Sequence, residues 1–166
     1  DHRPMKKYLL ILLAIVLLAQ FIRPARIEEP VDPAVDLIAV TKPSAEVEHL
    51  LRVACYDCHS GQPRYPWYAD ITPVNWWLAD HIKDGREEFN ATTWGSVPAY
   101  QRDHQAKDVM EMMQKKEMPP SNYTWLHADA RLDDAQRLVL SDFFKTKRDG
   151  TWDVEKARRK AAGEIK

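Results

Sequence analysis

Cys55, Tyr56, Asp57, Cys58 and His59 form the stretch that most limits what this chain can become. Both cysteines of the 166-residue sequence fall inside it. Two thiols on one helical turn can each add to a vinyl group of the same porphyrin. The histidine that follows is then held under the ring, where its imidazole can bind the iron. The C-x-x-C-H spacing therefore points to one covalently attached haem (haem c), with Cys55 and Cys58 as thioether donors and His59 as the proximal iron ligand. Structural zinc takes four ligands, usually through a second C-x-x-C or a close histidine pair. The remaining histidines (His2, His49, His81, His104 and His127) form no close pair. A thioredoxin-like redox pair would need a βαβ context, and the patterns along this chain are helical.

The rest of the chain is read around that motif. Its length fits a single domain, and a net charge of −1 gives no electrostatic footprint for nucleic acid. Near the N-terminus, Lys6-Lys7 precede an apolar run from Tyr8 to Ile22, and Arg23 and Arg26 follow. As a helix this run spans ~22 Å at ~1.5 Å per residue, short against a hydrocarbon core of ~30 Å. Its end lacks the small residues of a cleavage site. The reading favoured over a cleaved signal is an uncleaved anchor, a transmembrane segment over residues 5–26. It places the rest of the chain outside a bacterial inner membrane, with the haem domain facing the periplasm.

Residues 27–43 carry Pro30, Pro33 and Pro43 among acidic side chains and read as an extended linker. A haem-binding domain follows over residues 44–144. Ser44 suits an N-cap, and Val47, Leu50, Leu51 and Ala54 recur at helical spacing up to Cys55. The proline-rich stretch after His59 reads as irregular chain, and a carbonyl within Pro63–Pro66 is a candidate acceptor for the second imidazole nitrogen. Thr72-Pro73 reads as an N-cap and first helical position, with Gly85 as the C-terminal stop. Trp76 or Trp77 should face the cofactor or core, and His81 falls on the apolar stripe. A further helix is expected over residues 100–116. The prolines of Met118-Pro119-Pro120 then force an extended loop, from which the Met118 thioether can lie over a haem. Asp133 and Gln136 resemble a capping box. Residues 145–166 read as a basic tail, frayed or partly helical.

Taken together, Cys55–His59 with Ser60, Pro66-Trp67-Tyr68, the Pro73–Trp77 run, His81, Gly85-Arg86, and Met118-Pro119-Pro120 with Tyr123 and His127 resemble a class I cytochrome c. More closely, they resemble the bacterial haem-binding-domain family of exported monohaem proteins. The resemblance spans roughly residues 44–144. It implies a small all-α domain around one covalent haem c, with His59 proximal.

Three functions stay open at this level. With His59 proximal and Met118 distal, the iron is six-coordinate and suited to electron transport between redox proteins or a membrane respiratory complex, rather than to catalysis. His81 is the rival distal ligand. With an open distal position, the chain could be a peroxidase or gas sensor using His81 or Arg86. It could also be a haem-bearing accessory subunit. Arg64, Trp94 and Arg131 are candidate propionate partners by chemistry.

Overall fold

The computed structural model describes residues 3–165 and is all-α, with no strand among them. Helix α1 (Arg3–Ala19) is exposed along its apolar length, from Leu9 at 67 % to Leu18 at 67 %. It does not support the transmembrane segment expected over 5–26. At 17 residues it measures ~26 Å, and among the described residues no helix is long and apolar enough to cross a membrane. The helix ends at Ala19, and the side chain of the next residue, Gln20, turns back on the domain. Gln20 Nε2 donates to the Thr72 carbonyl at 3.1 Å, and Gln20 Oε1 accepts from the Thr72 amide at 3.0 Å.

The stretch 27–43 is held against the domain rather than extended away from it. Glu29 donates its amide to the Gly61 carbonyl at 2.8 Å, Val35 accepts from the Gly95 amide, and Glu29 pairs with Arg86. Short helix α2 (Leu37–Thr41) then buries Leu37 completely. Its N-cap is Asp36, whose carboxylate accepts from Ala39 and from the Tyr56 hydroxyl. Apolar burial here outweighs the extended preference of the prolines.

Helix α3 (Ala45–Ala54) starts where expected: the Ser44 hydroxyl accepts from the Val47 amide at 3.3 Å. Its buried stripe (Val47, Leu50, Leu51 and Val53) leads into α4 (Tyr56–His59), the single turn that carries the motif. Helix α5 (Val74–Glu88) lies against α4. Two expectations about α5 are corrected. Thr72 is no cap: Pro73 holds the position before the first helical residue, and the buried Thr72 hydroxyl has no hydrogen-bond partner among the described residues. Gly85 is no stop, because the helix continues to Glu88.

Helix α6 (Ala99–Lys115) packs on α8 (Asp134–Lys145) and α9 (Thr151–Ala161), while α7 (Ser121–Leu126) follows the Met118 loop. The Asp133–Gln136 capping box is present. The basic tail is largely the docked helix α9, held through Asp103 of α6. That carboxylate accepts from Arg148 and from the backbone amides of Asp149, Gly150 and Trp152. One core joins the elements: Leu37, Leu50 and Leu51 meet Phe89, Trp94, Leu140 and Phe144. Phe89 is edge-on to both Trp94 and Phe144, at 5.6 and 5.9 Å between ring centroids.

Candidate functional site

The motif is a single turn locked from both sides. The amides of Cys58 and His59 both donate to the Cys55 carbonyl, at 3.2 and 2.9 Å. Ser60, almost fully buried, donates its hydroxyl to the Tyr56 carbonyl at 2.7 Å. Asp57, between the two cysteines, is the anchor of the outer face. It accepts from the Arg64 amide and Nε at 3.0 Å each, from Arg64 Nη2 at 2.9 Å, and from the Tyr123 hydroxyl at 2.6 Å. Arg64, expected as a propionate partner, is thereby committed to Asp57. Burial, and then the hydrogen bond to Asp57, push the Tyr123 phenol well above its ordinary range, so it stays a donor.

His59 is oriented by α5. Its Nδ1 lies 2.7 Å from the Gly85 carbonyl and 2.9 Å from the Phe89 carbonyl. Carbonyls only accept, so Nδ1 carries the proton and Nε2 keeps its lone pair. This corrects the expectation of an acceptor in Pro63–Pro66: the partners come from the end of α5, which lies against the motif turn. Burial lowers the His59 pKa and favours the neutral imidazole that a metal needs, and the two carbonyls oppose this only in part. Gly85 makes the approach possible. A Cβ there would sit 3.1 Å from the Cys58 carbonyl oxygen and 3.3 Å from His59 Cε1.

Beside this turn lies a cavity of about 350 Å³. Cys55, His59 and Met118 line it together with Phe89, Met112 and Phe144. The sequence thus placed three of its site residues on one cavity, although Met118 comes from a loop far along the chain. Cys58 is half-buried and is not one of the lining residues. Burial, and then its partner thiol, push Cys55 up to about 12, and burial with Asp57 pushes Cys58 up to about 11, so both unmodified thiols are neutral at physiological pH.

Other expected residues lie elsewhere. His81 is exposed, donates Nδ1–H to the Trp77 carbonyl at 2.9 Å and does not line the cavity. His127 stacks on Tyr123 at 4.1 Å, and His104 stacks on Trp152 at 4.0 Å. Trp94 is a core residue, and Arg131 donates to the Thr124 and Trp125 carbonyls. Trp76 and Trp77 face neither cavity nor core, being 38 % and 41 % exposed. The reason for Trp76 is a hydrogen bond from its indole to the Ile22 carbonyl at 2.8 Å. His2 lies outside the described residues. Sequence reading missed Met112, Gln105, Glu88 and Asp108 as cavity residues. Of these, Met112 was visible only as one of several helix methionines.

The arrangement suits a flat apolar group bound by sulfur and nitrogen. The walls are mostly apolar, a neutral imidazole nitrogen is free, and a thiol and a thioether share the same space. No group of three or more His, Cys, Asp and Glu side chains that could hold a metal ion occurs among the described residues. Compared with known proteins, the chain matches the family model described as haem-binding domain over residues 14–146. No curated protein and no solved structure matches it.

Proposed function

Because the chain belongs to the haem-binding domain family, we propose that it is a monohaem c-type cytochrome that carries single electrons between redox partners. Cys55 and Cys58 would hold the haem through thioethers, and His59 Nε2 and Met118 would be the side chains that bind its iron. The haem supplies reversible one-electron exchange at its iron. The chain supplies the rest. The Gly85 and Phe89 carbonyls fix the imidazole and raise its basicity. Phe89, Phe144, Met112 and Met113, which line the cavity, would shield a haem held there from water. The Asp57–Arg64–Tyr123 hydrogen bonds keep the cysteine turn from moving during exchange.

The single observation that carries this reading is the meeting of Cys55, His59 and Met118 on one apolar cavity. A distal site open to peroxide or gases would call on His81 or Arg86. His81 is exposed on α5, and Arg86 is tied to Glu29. The proposal extends to location. The apolar surface of α1, exposed all round, buries itself in lipid. The positive–apolar–polar order of the N-terminus directs the haem domain to the periplasm of a bacterial inner membrane.

The test is a pair of measurements on chain matured with haem. Haem should stay with the polypeptide on a denaturing gel, as peroxidase staining reads. The reduced protein should refuse carbon monoxide, whereas Met118→Ala should take it up rapidly. Uptake by the native protein would remove Met118 from the ligand set and the carrier reading with it.

A further inference from the structure

A second cavity, of about 570 Å³, lies where the chain leaves α1 and meets α5. Asn75 lines it. This residue is 3 % exposed, yet neither its amide nitrogen nor its amide oxygen has a hydrogen-bond partner. A buried amide in that state costs stability at both ends, so its retention calls for a ligand offering one acceptor and one donor. The charged lining has both signs as well. Arg23 and Arg26 share the single carboxylate of Asp70, at 3.5 and 2.8 Å, which leaves positive charge over. Lys83 is only loosely engaged, 3.9 Å from Glu87, with both side chains about two-thirds exposed or more. Asp80 lines the same cavity and has no ion-pair partner among the described residues.

We infer that this cavity binds the headgroup of a phospholipid carrying a primary amine, that is, a phosphoethanolamine group. Arg23, Arg26 and Lys83 take the phosphate, and Asp80 takes the ammonium. Asn75 donates to a phosphate or ester oxygen and accepts from the ammonium. A purely anionic headgroup would leave Asp80 facing like charge. Position argues for a lipid rather than a free solute, and this part rests on the membrane-anchoring reading above. The cavity begins three residues after the Gln20 turn, at the end of the apolar helix. Around that end stand exposed Trp76, Trp77, Ile71 and Val74, and tryptophan is the residue type favoured at headgroup level. The end of α1 is also fixed to the domain by Gln20 and by the Trp76 indole, so a headgroup beside α1 meets a preformed site.

The experiment uses the haem-loaded full chain in dodecyl maltoside micelles. Dihexanoyl phosphatidylethanolamine is titrated while the Asn75 side-chain amide and Trp76 indole signals are followed by NMR. Saturable shifts are expected, at least about tenfold weaker in Asp80→Asn and in Asn75→Leu. Asp80 is exposed, so its variant should fold normally. Asn75→Leu should also raise the thermal midpoint, since it removes the unpartnered amide. Equal affinity for dihexanoyl phosphatidylcholine or phosphatidylglycerol overturns the amine assignment. Equal affinity for free phosphoethanolamine overturns the lipid assignment, and unsaturable shifts overturn the site. Flotation with phosphatidylcholine vesicles reads the anchoring separately. A chain that floats but ignores phosphatidylethanolamine in micelles loses this site and keeps its anchor. One that does not float, yet saturates with the short-chain lipid, keeps the site and loses the anchor.

Discussion

Gly85 shows how much a single missing carbon can decide. In an exposed helix interior, replacing glycine by alanine gains ~1 kcal/mol. Here the new methyl group would meet the Cys58 carbonyl at 3.1 Å and the His59 ring at 3.3 Å. That carbonyl belongs to the motif turn, which is held on both sides and cannot yield, and overpacking of this kind costs ~1–3 kcal/mol. The clash wins. Gly85→Ala should lose about 1 kcal/mol in urea unfolding and shift the haem absorbance by moving His59. Tyr123 offers the complementary case. Its hydroxyl is one of four donors to Asp57, and a hydrogen bond to a charged group is worth ~1.5–3 kcal/mol. Since Arg64 continues to satisfy the carboxylate, Tyr123→Phe should cost about 1.5 kcal/mol, measured by the same unfolding assay, with the absorption spectrum unchanged.

Among the elements, α9 is held to α6 by one buried carboxylate, Asp103, beside the stack of His104 on Trp152. Burial by itself would raise the Asp103 pKa, but Arg148 and the amides of Trp152, Gly150 and Asp149 outweigh it and hold the carboxyl below its ordinary 3.8. A depressed folded-state value means that the stabilisation is complete above the unfolded value near 4. It is lost as pH falls through the lower, folded value. Amide hydrogen exchange along α9 should therefore be slow at neutral pH and accelerate below about pH 4, ahead of the core helices. Asp103→Asn should abolish that pH dependence. At neutral pH it should cost about 1.5 kcal/mol, because Arg148 and three backbone amides lose a charged acceptor while Asp153 still pairs with Arg148.

For the molecule as a whole, the cavity beside the motif is large enough to govern stability. Its mostly apolar walls, around a space of about 350 Å³, stay in contact with water when no group fills it, and uncovered apolar surface forfeits ~25 cal/mol per Å². A domain of this size is stable by only ~5–15 kcal/mol. Chain produced without haem should accordingly unfold at a much lower urea concentration than the haem-loaded form. It should also show the exposed apolar surface and weakened near-UV signal of a loosely packed helical state.

Much of the framework was readable before any coordinates. Ser44 and the Asp133–Gln136 box cap their helices because capping is settled by neighbours three residues apart. The helical period of Val47, Leu50 and Leu51 marked a buried face for the same local reason. The C-x-x-C-H spacing of Cys55, Cys58 and His59 was legible because it lies within five consecutive residues, and the proposed thioether chemistry is what would require it. Local signals misled where a distant segment intervened. Thr72 looked like a cap, yet α5 starts beyond Pro73 and the Thr72 backbone pairs with Gln20 instead; Gly85 looked like a stop until the motif turn needed its space, and the tail looked loose until Asp103 gathered its amides. By itself, the sequence determined the spacing of the motif and the beginnings of helices α3 and α8, since both depend on residues a few positions apart. Only the tertiary structure decided which carbonyls orient His59 and that Met118 shares its cavity. The same holds for the burial of Asn75 without partners, because each depends on contacts between elements that no local spacing encodes.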